Sequence, residues 1–365
     1  FLTFEKVVAD YVLDDQGKVM DRFPNLAAFA AGADHYPQTY SNCTATVYAL
    51  KTLYSGRVTT SQRDWTRRPN IRDILGSDRK VVMQLDLLTN YCDPSKNICV
   101  RTIGKGGRRG IDIASGWYKT WLLTVMPDAL EARLTLLGWH FNPWFDLWAE
   151  EEANLKPGEK ICQKVGTRQL ESLTQAVRQQ GSTPTLYIMH NFISDEPGVK
   201  SSGLTGRREE KRAEDLEGAR ENLAVFDREM GKFLQFLKEQ GLYERSLIVI
   251  TSDTGYDFDS RNMRGQAEIP FSRDMTRVFF ALKRPGQAEG RVLPGAFRQI
   301  DVLPTVLAGL GIDPRPFGFD GAPLTDPGDQ GTLAERPLDF MLTSEQAGVL
   351  HYRVDKPTGS FRRIR

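Results

Sequence analysis

The stretch SLIVITSD, residues 246–253, is apolar on both faces until it stops at an aspartate, Asp253, with Thr254 and Gly255 behind it. A strand buried on both sides belongs to a sheet covered by helices on both sides. Four more runs share that character: FLTFE (1–5), VVMQLDLL (81–88), TLYIMHNF (185–192) and RVFFALK (277–283). Helical patterns separate them. In 209–240, Leu216, Leu223, Phe226, Met230, Phe233 and Leu237 recur at helical spacing and Gly241 supplies the stop. Shorter helical patterns cover 23–34, 46–56 and 302–311. Strands alternating with helices predict an α/β fold, a three-layer sandwich with a mainly parallel central sheet.

Composition narrows what such a fold can do here. The chain has 365 residues, 40% hydrophobic and 26% charged, enough for one large domain or two smaller ones. Its 48 basic and 47 acidic residues leave a net charge of +1, so no overall field draws it to nucleic acid. No apolar run reaches membrane-spanning length. The chain starts almost directly on a strand, which leads us to expect an upstream targeting or membrane segment outside this sequence.

Several stretches stand apart from the α/β pattern. Residues 111–150 hold five of the six tryptophans and read as a helical insert. GKGGRRG (104–110) lacks the Ser or Thr after Gly-Lys that a phosphate-binding P-loop needs, and reads as a basic loop. The segment 316–365 reads as a C-terminal extension packed on a domain spanning 1–315. Cys92 and Cys99 flank a Pro/Ser/Asn turn, a spacing that suits a local disulfide in an oxidising compartment as well as two free thiols. Cys43 and Cys162 read as buried thiols.

Ligands bind beyond the carboxyl ends of the strands in open α/β sheets. That rule selects Glu5, Asp86, His190 and Asp253. Acidic groups gathered at one sheet edge repel unless a cation lies between them, and oxygen donors suit Mn, Mg, Ca or Zn. Helix capping is the simpler account of Asp86 and competes evenly for Glu5. Thr44 and Thr46 precede a helix, where free N–H groups and the dipole favour an anion. A hydroxyl beside a divalent cation can become a nucleophile, although plain capping explains the same residues. Lys51 and Arg57 follow on that helix, as an anion clamp or as ordinary helix charge.

These residues carry a resemblance. SLIVITSDTGYDF and, in matching order along the chain, DRFPNLAAFAAGADHYPQTYSN, LYSGR, LAVFDREMGKFLQFLKEQGLYERSLIVITSD, VFFALKRPGQ and IDVLPTVLAGLGI resemble the sulfatase branch of the alkaline phosphatase superfamily over residues 1–313. The similarity is to sulfatase-like extracytoplasmic domains, including phosphoethanolamine and lipoteichoic-acid-type transferases. It implies a phosphoryl or sulfuryl ester hydrolase or transferase with one divalent cation. The substrate would be an anionic ester or a cell-envelope glycan or lipid headgroup, met outside the cytoplasm by a membrane-anchored protein. The nucleophile falls eleven positions before the helix-ending Arg57, on Thr46. Formylglycine sulfatases carry C-x-P-S-R there, which TVYAL does not match.

Glu5, Thr46 and Asp253 then fall at metal-ligand positions, and His190 resembles a histidine that binds substrate or protonates a leaving group. Two positions depart from the pattern. Thr254 stands where relatives place His or Asn as a ligand, and Ser194 and Asp195 replace a Pro-His pair. Asp195 would restore an oxygen ligand and make a harder site. The departures raise an alternative, a catalytically degenerate member that binds a glycan, lipid headgroup or protein. His35, His140 and His351 read as structural.

Overall fold

The strand ending at Asp253 lies in the middle of an eight-stranded sheet. The computed structural model describes residues 1–43, 46–58, 69–84, 92–100, 102, 155, 157, 160–194, 208–255, 276–293, 295, 297–324, 338–344, 348–355 and 360–363, with 47, 208–217 and 338–363 as backbone alone. The strands are β1 (Leu2–Phe4), β2 (Asp34–His35), β3 (Thr39–Tyr40), β4 (Lys80–Gln84), β5 (Ile98–Cys99), β6 (Thr185–Asn191) and β7 (Ile248–Ser252). After them come β8 (Arg277–Val278), β9 (Phe280–Lys283), β10 (Arg291–Val292), β11 (Phe297–Arg298), β12 (Leu338–Ser344), β13 (Gly348–Asp355) and β14 (Ser360–Arg363). The α-helices are α1 (Ala9–Val12), α2 (Pro24–Ala31), α3 (Thr46–Ser55), α4 (Ile71–Leu75), α5 (Ile161–Gln180), α6 (Arg208–Glu239) and α7 (Val302–Gly309).

The large sheet runs β10-β2-β9-β7-β1-β6-β4-β5. Its pairs are parallel except where β9 meets β7 and β2. Side chains alternate across it, so each strand feeds two cores. On one face Leu2, Phe4, Met189, Ile248 and Ile250 pack with Phe29 of α2, Leu173 of α5 and Phe226 and Met230 of α6. On the other Met83, Ile188, Val249 and Phe280 pack with Leu50 and Leu53 of α3, Ile71 of α4 and Leu303 and Leu307 of α7. Helices on both faces of a mostly parallel sheet make the expected three layers.

Three local readings need correction. RVFFALK is two strands rather than one: Arg277–Val278 pairs with β3 in a small second sheet, while Phe280–Lys283 enters the large sheet antiparallel. The helix expected over 23–34 stops at Ala31, and Asp34–His35 form β2. There the Asp34 carboxylate accepts from Arg284, Gln287 and Arg291, which holds residue 34 at the sheet instead of in a helix. A twenty-residue helix that the reading lacked, α5, covers the sheet beside α6. The long helix α6 ends as expected, with Gly241 at φ 62°, a left-handed conformation that favours glycine.

The Cys92–Cys99 disulfide is formed, and Cys43 and Cys162 are buried. Past α7 the chain returns over α3. The Asp320 amide donates to the Gly56 carbonyl at 3.0 Å, that of Ala322 to Asp301 Oδ1 at 2.9 Å and that of Leu324 to Thr305 Oγ1 at 3.0 Å. Strands β12–β14 form a separate antiparallel sheet. Residues 104–150, with the tryptophan-rich insert and the basic loop, lie outside the described residues, as do Thr44, Asp86 and Asp195.

One contact fixes how α5 supports the sheet edge. A Cβ added at Gly166 would come within 2.4 Å of Ile193 Cβ and 2.5 Å of its backbone nitrogen, just after β6. Gly166→Ala must therefore push β6 and α5 apart. We expect a loss of about 1–3 kcal/mol, as overpacking usually costs, read as a lower urea midpoint at unchanged m-value.

Candidate metal centre and nucleophile

Register and alternation bring the site together. In β1, Thr3 lies opposite His190 of β6 and Thr251 of β7. Leu2 and Phe4 point into the α5–α6 core, so Thr3 and Glu5 point toward α3. By the same alternation His190 shares a face with Ile188, and Asp253 with Val249, both of which pack on the α3 side. Glu5, His190 and Asp253 thus meet at the carboxyl ends of three adjacent strands, beneath the start of α3. Two hydrogen bonds tie α3 to β1: Tyr54 with Thr3 at 3.0 Å, and Thr46 Oγ1 donating to Glu5 Oε1 at 2.9 Å.

Each side chain is tightly held. His190 and Asp253 are 0% exposed and Glu5 6%. The Lys6 amide lies 3.4 Å from Asp253 Oδ1, on the one non-glycine residue with positive φ among those described, at 55°. Such a residue stores strain where the chain turns away from the site. Ser252 Oγ lies 2.9 Å from the Phe4 carbonyl and accepts from the Val7 amide at 2.8 Å, while Ser194 Oγ donates to the Glu5 carbonyl at 2.6 Å. Behind His190, Gln169 donates to its carbonyl and Phe192 meets its ring edge-on at 4.9 Å.

What the three side chains lack is as informative. Among the described residues, Glu5 Oε2, Asp253 Oδ2 and both ring nitrogens of His190 are buried without an aligned hydrogen bond. Nε2 is nevertheless 3.1 Å from Glu5 Oε2 and 3.7 Å from Asp253 Oδ2, close contacts rather than satisfied bonds. The three donors lie within 4.8 Å of one another. Neighbouring ligands on a cation with bonds of about 2.1 Å stand roughly 3.0–3.4 Å apart, so the spacing fits a divalent ion. Burial works against charge on His190, but contacts with Asp253 and Glu5 and their charge prevail and raise it from 6.5 to about 9. A proton shared there does, weakly, what a cation would do.

The structure therefore brings together Glu5, Thr46, His190 and Asp253. Thr254 follows Asp253, buried, with its carbonyl accepting from Ser252 at 2.9 Å. The expected role of His190 toward substrate did not anticipate its place among the carboxylates. An imidazole among these donors would supply a nitrogen that Thr254 does not, and would suit Mn or Zn as well as harder ions. Arg57 is anchored by the carbonyls of Gly318, Pro69 and Phe317 and stacks on Phe319, a packing role. Lys51 is wholly buried, its ammonium 5.5 Å from the Tyr48 ring centre.

The fold resembles that of sulfatase-like domains of the alkaline phosphatase superfamily, and comparison with known proteins bears out the resemblance. A lipoteichoic acid synthase of Staphylococcus saprophyticus is 30% identical over 132 residues, 34% of this chain and 20% of that protein. The match thus spans about a fifth of that relative's length. A putative sulfatase from Bacteroides thetaiotaomicron superposes with a TM-score of 0.61 at 12% identity, covering 99% of this chain and 83% of that one. A phosphonate monoester hydrolase from Silicibacter pomeroyi gives 0.57 at 14%, covering 97% and 84%. No family model matches the chain.

A ligand histidine must be neutral, so a cation entering below about pH 9 displaces the His190 proton. Apparent Mn affinity should rise about tenfold per pH unit between pH 6 and 8, with one proton released in calorimetry across buffers of different ionisation enthalpy. A pH-independent affinity would contradict that arrangement.

Proposed function

We propose that the chain is a metal-dependent hydrolase or transferase of phosphate or sulfate esters that uses Thr46 as its nucleophile, with phosphoryl transfer the favoured chemistry. The observation that carries this reading is the Thr46 hydroxyl bound to Glu5 Oε1 at 2.9 Å, beside buried atoms of Glu5, His190 and Asp253 that have no aligned hydrogen bond among the described residues. Glu5, His190 and Asp253 would hold the cation, and when bound it supplies a positive charge that lowers the hydroxyl's pKa and neutralises the ester. Thr46 passes its proton along the hydrogen bond toward Glu5 as its oxygen attacks phosphorus in line, and the bond to the ester oxygen breaks opposite, that oxygen leaving as an oxyanion that takes its proton from water. The start of α3 offers backbone N–H groups to the remaining anionic oxygens. A phosphothreonine then passes its group to water or to an acceptor hydroxyl.

His190 serves this scheme as a ligand rather than as the leaving group's acid, because its ring is buried between the carboxylates. Thr254 and Asp195 remain further oxygen ligands in the proposal. The orphaned donors favour an enzyme over the degenerate binding module, since a dismantled centre has no reason to keep them buried.

An extracytoplasmic setting belongs to the same proposal. The Cys92–Cys99 disulfide suits an oxidising compartment, and lipoteichoic acid synthase is a cell-envelope name. No helix of the described residues is long and apolar enough to cross a membrane. The substrate would be an anionic ester of the envelope.

With Mn bound, the chain should turn over bis(p-nitrophenyl) phosphate, and Thr46→Ala should lower kcat at least about 10³-fold, as loss of a nucleophile does. Mass spectrometry of quenched enzyme should find one phosphoryl adduct on Thr46. Equal turnover by Thr46→Ala would remove the nucleophile assignment. Mn binding with no turnover of phosphate, phosphonate or sulfate esters would favour the binding module.

A further inference from the structure

Gln299 takes no part in the chemistry above, yet its amide is fully buried and all its hydrogen bonds lead to the site. It opens a single 3-10 turn, Gln299–Asp301, between β11 and α7. Its Nε2 donates to the carbonyls of Ser252, at 2.8 Å, and Asp253. Its Oε1 accepts from the Asn42 amide at 3.4 Å and lies 2.9 Å from Ser41 Oγ. Ser41 Oγ is also 3.0 Å from the Asp253 carbonyl and 2.7 Å from that of Cys43, so its single proton serves one of three acceptors at a time. Asn42 answers by accepting from the Ile300 amide at 3.0 Å.

These bonds join two otherwise separate segments. One is the end of β7, which carries Asp253; the other is the loop 41–43, which leads into α3 and Thr46. Resting on the metal-site reading, we propose that Gln299 is a positioning residue. It locks the Asp253 arm of the metal centre to the loop ahead of the nucleophile, so that ligand and hydroxyl face one point. No other side chain type of this length supplies both a two-carbonyl donor and an acceptor for the loop. A carboxylate would repel the carbonyls, and an apolar group would remove both the donor to them and the acceptor facing the loop.

The test is Mn binding by the 365-residue chain, read by calorimetry and by the zero-field splitting of the bound ion in electron paramagnetic resonance. Wild type should bind one Mn, and Asp253→Asn should abolish it. Gln299→Met, close in volume, should bind about 10–100-fold more weakly, the usual effect of removing a partner that orients a ligand. The saturated protein should show an altered splitting, which a purely structural loss of stability would not produce. Ser41→Ala, a smaller change that keeps the amide, should weaken binding two- to tenfold and alter the splitting in the same direction. If Gln299→Met does not fold, Ser41→Ala and Gln299→Glu decide the matter. Wild-type affinity and splitting in the folded variants, with Asp253→Asn still silent, overturn the positioning role alone. Absence of Mn binding in the wild type overturns both it and the metal-site reading.

Discussion

Two carboxylates and an imidazole buried at the ends of three adjacent strands are the constraint on which the rest of the structure turns. Isolated, each buried carboxylate would carry a large desolvation cost, and together they repel. The fold meets that cost in layers. Glu5 has the Thr46 hydroxyl on one oxygen, Asp253 has the Lys6 amide, and His190 stands between them. What remains without an aligned hydrogen bond among the described residues is Glu5 Oε2, Asp253 Oδ2 and the ring nitrogens of His190, with one ligand atom of each residue within 4.8 Å of the others. A divalent ion there satisfies all three at once.

The surrounding architecture keeps that point in place. Parallel pairing of β6, β1 and β7 fixes the ligands' heights, and period-two alternation fixes their common face. Hydroxyls of Ser194 and Ser252 reach the carbonyls of Glu5 and Phe4, so the irregular backbone beyond the sheet keeps its hydrogen bonds. On the opposite face, Asp227 of α6 accepts from the amides of Asn25 and Leu26 and so holds the start of α2. The helical layer behind the sheet is thereby braced independently of the site.

Much of this was legible in the residues. SLIVITSD announced a strand buried on both faces, and the rule that ligands gather at strand ends selected Glu5, His190 and Asp253 without coordinates, together with Asp86, which lies outside the described residues. Three things were harder to read. The role of His190 depends on register: only the pairing of Thr3 with His190 shows which face its ring takes and that it lies between the carboxylates. RVFFALK has no internal break in hydrophobicity, so nothing local signals that Val278 and Phe280 serve different sheets. Helix α5 did carry a signal, in Cys162, Val165, Leu170, Leu173 and Val177 at three- to five-residue steps, with Gly181 as the stop, but its polar residues dilute the pattern. Gln299 gave none, because a buried glutamine's partners are backbone groups far away in sequence.

The central claim is that Glu5, His190 and Asp253 share one divalent ion. The most direct measurement is anomalous X-ray diffraction from crystals of the chain soaked in Mn, recorded above and below the metal's absorption edge. The account predicts a single strong anomalous peak bonded to Glu5 Oε2, His190 Nε2 and Asp253 Oδ2 at about 2.0–2.3 Å. A cluster that stays without a peak at saturating Mn, or a peak held by other residues, would contradict it.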